Sequence, residues 1–277
     1  MGRAAQFIAQ FFPIFLLGAL FGKLMDDSGS VQAIAHFMSA KLGERRAIVA
    51  VVLAGALVTY GGVSLFVAFF VLAPMARELF RVARIPHRLM PAAIALGTST
   101  FTMSAMPGTP AIQNTIPMPF FGTTPFAAPG LGILASAIML AFGLWWLGRA
   151  EASARKSAEG YGADAKIGGG AVAADQFIRE RATSSHAFDP AEIPHGQHAE
   201  LPPPIITGID PALMHRIAVV GSGTLDSLPH NGAVVTLLAV CGSTHRKSYF
   251  DMAIVGIVGP IIALAVVIVL GSAFGSF

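Results

Sequence analysis

The chain has 277 residues, of which 54% are hydrophobic and only 12% are charged. Soluble domains carry roughly 25% charged residues, so the composition excludes an ordinary soluble protein and predicts an all-α polytopic membrane protein. The 18 Lys and Arg residues only slightly outnumber the 15 acids and lie at the ends of apolar runs, as membrane topology requires. No nucleic-acid partner is therefore expected, and the single Cys241 excludes an intrachain disulfide.

The first apolar run, 7–24, is long enough to cross a membrane once. It lacks the small-residue cleavage site of a signal peptide, so we expect a retained span. Residues 31–42 are too few to cross, and their apolar positions predict an amphipathic helix lying at the membrane interface.

The next apolar run, 48–76, is interrupted by Thr59–Ser64 and has basic residues at both ends. As one straight helix it would be about 40 Å long and would place one basic cluster outside, against the positive-inside rule. A re-entrant hairpin that enters and leaves from the cytoplasmic face, with its tip at Gly61 and Gly62, avoids both problems. A long tilted helix with a packing glycine pair is the alternative.

Residues 91–121 are apolar at both ends but have a middle rich in hydroxyls, Gly and Pro, which predicts a broken helix. A clean span follows at 127–147, and Trp145 and Trp146 anchor its end at the interface.

Residues 149–209 contain eight of the fifteen acids, a triple glycine and a triple proline, as expected of a flexible cytoplasmic linker. Its histidines could bind a metal, but no Cys/His spacing supports a site, so no metal is predicted. These histidines are His186, His195 and His198.

A second broken helix is predicted at 213–242. Its middle holds Asp226, Pro229, His230, Asn231 and several glycines, and Gly and Pro cost about 1 and 3 kcal/mol inside a helix. Broken backbone at membrane depth is tolerated where it lines a protein or water-filled site, as in secondary transporters. A last span is predicted at 252–270.

Two broken helices in corresponding places predict two repeats, residues 1–148 and 210–277. An inverted repeat requires the second broken helix to run from outside to inside. With the spans predicted above and a cytoplasmic linker, the second broken helix would run from inside to outside. An odd number of membrane crossings must therefore be missing after the linker. We therefore expect a truncated or internally deleted version of a longer protein, in which the second repeat is a remnant.

Four motifs are specific enough to suggest a family, and the resemblance that they carry extends over nearly all of the apolar chain. They are 21–29 (FGKLMDDSG), 60–67 (YGGVSLFV), 107–114 (PGTPAIQN) and 225–234 (LDSLPHNGAV). The chain resembles the gluconate:proton symporters, or GntP-type permeases, of the ion-transporter superfamily.

The resemblance implies an inverted-repeat secondary transporter fold with a re-entrant hairpin and discontinuous helices, incomplete in this chain. It implies proton-coupled symport of gluconate or a related sugar acid by alternating access, in the plasma membrane, which is the inner membrane of a bacterium. The expected partners are the substrate, protons and the lipid bilayer, and a homodimer is compatible with this. No cofactor and no enzymatic activity are expected.

A sugar acid needs hydroxyl and amide partners, and something positive for its carboxylate. No Lys or Arg lies inside an apolar run, so we expect exposed helix N-termini to face the carboxylate. For any one hydroxyl, interhelical hydrogen bonding is the alternative. The predicted substrate-binding residues are Tyr60, Gly61, Gly62, Ser64, Thr98, Thr100, Thr102, Ser104, Pro107, Gly108, Thr109, Gln113, Asn114, Ser222, Thr224, Ser227 and Asn231.

Proton coupling needs a group that titrates at membrane depth. Of the seven acids outside the linker, Asp226 alone is predicted there, and His230 is its predicted partner. An Asp–His pair that only braces the break is the alternative.

Other functions remain open at this stage. The transported acid could be another small hydroxy-carboxylate, or the shortened chain could be an inactive permease. Asp226 and His230 could instead serve a membrane-embedded hydrolase, but no nucleophile motif or metal-ligand spacing supports one. A channel is less suited than a transporter to a paired, titratable central site.

Overall fold

The computed structural model describes residues 46–162 and 208–277, together with isolated positions between 20 and 41. Within these ranges every regular element is a helix, which agrees with the all-α prediction. The predicted span at 7–24, the interfacial helix at 31–42 and the linker between 163 and 207 lie outside the described residues, isolated positions apart.

The described chain begins with two helices joined by a short turn. Helix α1 is Ala47–Tyr60 and helix α2 is Leu65–Val82. Gly62 has a φ of 91°, a conformation that favours glycine, so the chain can reverse here within four residues. The two helices pack against each other, although their entry and exit on one membrane face stays a prediction.

The first broken helix follows a 3₁₀ turn at His87–Leu89. It consists of α3 (Met90–Thr98), α4 (Phe101–Ser104), α5 (Ile112–Thr115) and α6 (Met118–Phe121). All nine residues of α3 are buried. Thr100 leaves helical geometry, and Pro107 and Pro110 lack the N–H needed to resume it.

Helix α7 is Pro129–Lys156 and continues past the span predicted at 127–147. The linker was expected to begin at 149, but the first residues after Gly148 are good helix formers such as Ala, Arg, Glu and Lys. Arg155 also pairs with Glu151, one turn earlier, at 2.7 Å. Local propensity therefore extends the helix after the apolar run has ended.

The second broken helix consists of α8 (Pro211–Leu225) and α9 (Gly232–Cys241), separated by the turn 226–231. A final helical stretch comprises α10 (His245–Ala253), a π-helical turn at Ile254–Val258 and α11 (Gly259–Phe274). This stretch begins earlier than the span predicted at 252–270. In the described part of the chain, Pro129–Lys156 and His245–Phe274 are long and apolar enough to cross a membrane.

The two broken helices lie side by side, and α3 of the first one is at the centre of the packing. Helix α3 contacts α1, α2, α9 and α10, whereas α8 contacts α4, α5 and α6. Small residues allow close approach: a Cβ on Gly223 of α8 would lie 2.7 Å from the Ser104 Cβ. The hairpin turn, both breaks and the start of α9 therefore meet in one region.

Candidate functional site

A cavity of about 430 Å³ lies where the hairpin turn meets the two broken helices. This volume is in the usual range for small-molecule sites. Gly62 and Ser64 contribute from the hairpin, Ser99 and Gln113 from the first broken helix, and Asp226 from the second. The cavity therefore joins segments that are far apart in sequence.

Asp226 is the one ionisable side chain among the described residues that line this cavity. It follows the last residue of α8, where the helix ends and the chain turns. Its carboxylate accepts a hydrogen bond from the Gln113 Nε2 at 2.6 Å, which links the two broken helices directly. The other amide atom, Gln113 Oε1, is buried and has no hydrogen-bond partner among the described residues.

Two helix N-termini also meet the cavity. Helix α2 begins at Leu65, and Ser64, Leu65 and Phe66 line the wall. Helix α9 begins at Gly232, where Asn231 caps the helix by accepting from the Ala233 N–H at 2.8 Å. The first N–H groups of a helix have no carbonyl of the same helix to bind, so they are free for a ligand. Both helices have at least ten residues, and their aligned peptide dipoles give each N-terminus a partial positive charge.

Six of the nineteen predicted site residues line the cavity, and most of the predicted hydroxyls do not. Those of Thr98, Thr100 and Thr102 donate to carbonyls four or five residues earlier in their own helix, at 2.6–3.0 Å. The hydroxyls of Ser104 and Thr224 bond to the Thr100 and Val220 carbonyls four residues earlier, and that of Ser222 bonds to Val219 three residues earlier. The six that line it are Gly62, Ser64, Gln113, Asp226, Ser227 and Asn231.

Several other predicted residues shape the first break. The Tyr60 hydroxyl donates to the Pro107 carbonyl at 3.0 Å, so the hairpin tip is tied to the break. Gly61 caps the end of α1, and Gly108 has a φ of 76° beside the Phe126 ring. The Thr109 carbonyl, buried nearby, accepts from Asn114 at 3.0 Å.

His230 lies on the turn after Asp226, with its side chain exposed. The hydrogen bond of the Asp226 carboxylate comes instead from Gln113, which lies 113 residues earlier. The predicted pairing of Asp226 with His230 is therefore not the contact found here. The roles proposed for both residues in proton coupling stay predictions.

The structure also contains a buried network that the sequence did not suggest. Arg216 is fully buried, and its guanidinium donates to the Ala105 carbonyl at 3.1 Å and to the Ala127 carbonyl at 2.5 and 3.2 Å. Its neighbour His215 contacts Asn114 at 3.1 Å. In sequence Arg216 lies at the basic edge of an apolar run, and nothing in the sequence indicated that it would be buried.

A second unexpected group lies at the other end of α3. Asp251 is 2% exposed, although the sequence placed it at the end of an apolar run. It pairs with Arg88 at 2.5 Å and accepts from the Trp146 N–H at 3.1 Å. Arg88 also pairs with Glu159 at 2.9 Å. The group connects the first broken helix with α7 and α10.

Comparison with known proteins identifies related transporters. Residues 5–122 match the model of the GntP family permease. An uncharacterized transporter of Bacillus subtilis, YxjC, is 50% identical over 162 residues, which is 58% of this chain and 34% of the relative. The high-affinity gluconate transporter of Escherichia coli is 36% identical over 105 residues, covering 36% of this chain and 23% of that protein.

A third relative, the inner membrane permease YgbN of Escherichia coli, is 37% identical over 71 residues, or 25% of this chain and 15% of that protein. The relatives are permeases and transporters, not enzymes. The alignment with YxjC spans about a third of that protein's length. No solved structure matches the chain.

Proposed function

We propose that this chain is a GntP-type permease that carries a small hydroxy-carboxylate across the membrane together with a proton. The observation that supports this most directly is the cavity. Asp226 is the one ionisable group among its described lining residues, and two helix N-termini face the same space. One acid and two positive helix ends are a suitable set for binding an anion and a proton together.

The helix ends supply attraction for the substrate carboxylate. Each N-terminus stabilises a nearby anion by about 0.3–1 kcal/mol when exposed and by up to about 2 kcal/mol when partly buried. Helices α2 and α9 together therefore contribute a few kcal/mol at most. The N–H groups after Ser64 and Asn231 provide hydrogen bonds that also orient the carboxylate.

An ionised Asp226 opposes this attraction. Two negative charges about 5 Å apart repel by roughly 3 kcal/mol at an effective dielectric of 20. This repulsion is as large as the attraction from both helix ends, so the anion binds weakly while Asp226 is charged. A proton on Asp226 removes the repulsion. Substrate binding and protonation of Asp226 therefore favour each other, which is the thermodynamic basis of symport.

We propose that transport proceeds by alternating access in a cell's plasma membrane, with gluconate, the acid named for one relative, as the reference substrate. The cavity would open to one side with Asp226 protonated and the acid bound. Release of both on the other side would then reset the site.

The test measures protons taken up when an acid binds. The purified full chain in weakly buffered detergent solution receives gluconate near neutral pH, and a pH indicator reports the uptake. We expect Asp226→Asn to retain ligand binding and to take up no protons, because an amide cannot titrate. Accumulation of gluconate in proteoliposomes under an imposed pH gradient should be lost in the same variant.

The matched control is Asp210→Asn, which replaces an acid outside the cavity and should leave proton uptake unchanged. Equal proton uptake by wild type and Asp226→Asn would show that Asp226 is structural and would contradict the proposal.

A further inference from the structure

The walls of the cavity are mainly apolar, which is unusual for a site that binds a polyol. Val63, Phe69, Met103, Val234, Leu237 and Met252 form much of the lining. A sugar acid such as gluconate has five hydroxyl groups, and each loses hydrogen bonds to water when it enters the site. A hydroxyl buried against hydrocarbon without a partner is disfavoured.

The hydroxyl-rich segment of the first break does not supply hydrogen bonds to replace those that a sugar acid loses to water. The hydroxyls of Thr98, Thr100, Thr102 and Ser104 bond to carbonyls of their own helix, and none of these residues lines the cavity. At the cavity wall, the Thr59 and Ser99 hydroxyls are also committed, to Gly55 and Ala95.

The polar atoms left for a ligand are few. The Gln113 Nε2 is bound to Asp226, and the Asn231 side-chain oxygen caps α9. The Ser64 and Ser227 hydroxyls, the Asn231 amide nitrogen and the unpartnered Gln113 Oε1 remain among the described lining residues. This set matches a carboxylate and one or two hydroxyls, and leaves the rest of the cavity to hydrocarbon.

We infer that the substrate is a short-chain aliphatic hydroxy-monocarboxylate with one or two hydroxyl groups, in preference to a polyhydroxy sugar acid. This inference rests on the proposed function, since it assigns a substrate class to the same cavity. The carboxylate lies between the N-termini of α2 and α9, beside protonated Asp226. The aliphatic tail lies against Phe69, Leu237 and Met252, where its burial is favourable.

The test compares two acids of equal carbon number that differ in hydroxyl content. Gluconate has six carbons and five hydroxyls, and 2-hydroxyhexanoate has the same chain with only the hydroxyl next to the carboxylate. Equilibrium dialysis of each labelled acid against the purified full chain gives both dissociation constants. We expect 2-hydroxyhexanoate to bind at least tenfold more tightly.

The outcomes separate this inference from the proposed function. Equal or tighter binding of gluconate, with proton uptake still linked to Asp226, overturns the substrate class and leaves proton-coupled binding in place. Binding of neither acid overturns both. Tighter binding of 2-hydroxyhexanoate without linked proton uptake supports the substrate class and overturns the coupling.

A pair of variants in one helix tests whether the preference arises in this cavity. Val234→Thr places a hydroxyl on the wall at nearly constant volume, whereas Val240→Thr makes the same change in α9 at a buried position that does not line the cavity. Val234→Thr should reduce the preference for 2-hydroxyhexanoate by threefold or more, and Val240→Thr should leave it unchanged. An equal effect of both variants, or none from Val234→Thr, overturns the assignment to this cavity.

Discussion

The two breaks contain similar residue types but use their polar groups differently. In the first, from Ser99 to Pro110, the hydroxyls mainly return to carbonyls of the same helix. In the second, from Asp226 to Asn231, a carboxylate faces the cavity and a new helix begins beside it. The first break is held together internally, whereas the second presents charge and free N–H groups to a ligand.

The difference shows why a count of hydroxyls is a poor guide to a binding site. A Ser or Thr in a helix can bond to the carbonyl one turn earlier at little cost, so its hydroxyl need not face a ligand. An acid at the C-terminal end of a helix, such as Asp226, has no such partner there, because the free backbone groups at that end are carbonyls, which are acceptors only. Asp226 therefore needs a donor from elsewhere and finds Gln113.

The largest effect should come from the packing that supports the first break. A Cβ on Gly97 would overlap the Val52 carbonyl of α1, and the clash involves backbone that cannot rotate away. We expect Gly97→Val to lower the free energy of unfolding by about 3 kcal/mol. Thermal denaturation in detergent micelles would measure this.

The control is Gly148→Ala in α7, where nothing lies within 4 Å of an added Cβ. It should be neutral or slightly stabilising, because Ala favours the helix more than Gly. If Gly97→Val were as stable as Gly148→Ala, the close packing of α1 on α3 would be wrong.

A smaller effect should distinguish the two breaks directly. Gln113→Leu removes the donor that stabilises the ionised form of Asp226, so protonation of Asp226 becomes easier. Because hydrogen bonds to charged groups contribute about 1.5–3 kcal/mol, acid binding near neutral pH should strengthen about tenfold. Thr102→Val removes a hydroxyl of the first break that bonds only to its own helix. It should lower stability by about 1 kcal/mol and change binding less than twofold.

Equilibrium dialysis and thermal denaturation of both variants would test this contrast. A tenfold loss of binding in Thr102→Val would mean that the first break contacts the ligand after all. The comparison between the breaks would then fail.

The smallest effect is expected outside both breaks, at the start of α8. Asp210 caps this helix by accepting from the Ala212 N–H at 2.8 Å, and it also accepts from the Ser276 hydroxyl. These bonds, the one from Ser276 first, lower the pKa of Asp210 below its ordinary value. Asp210→Ala should cost about 1 kcal/mol of stability near neutral pH.

The pH dependence follows from the direction of this shift. The stabilisation is fully present above the ordinary pKa of aspartate and is lost as the pH falls through the lowered pKa of the folded state. Wild type and Asp210→Ala should therefore converge in melting temperature in strong acid. A gap that is independent of pH would exclude the ionised carboxylate as its cause.

Much of the framework could be predicted from local sequence. Gly and Pro disfavour helix wherever they occur, and the chain turns at Gly62 and near Pro107 and Pro229 as those residues suggest. Asp226 was singled out because a charged group inside an apolar run is costly. Both inferences need only neighbouring residues.

The contacts between distant segments could not be predicted in this way. Gln113 and Asp226 lie 113 residues apart, and the carbonyls that hold Arg216 lie 89 and 111 residues before it. In sequence Arg216 cannot be distinguished from a basic residue that only sets membrane topology. Its burial becomes evident only when the segment 105–127 packs against it. The extent of α7 was missed for a different reason, since helix propensity continues after hydropathy falls.

The pairing of Arg88 with Asp251 also bears on how the chain could be divided. This ion pair, together with the bond from Arg77 to the Val240 carbonyl at 3.2 Å, joins residues on opposite sides of the stretch 163–207. Helix α11 packs along α7, and α8 is held by the carbonyls of Ala105 and Ala127. These contacts do not pass through the stretch 163–207, so we expect the two pieces to stay associated and to keep the cavity between them if the chain is cut there.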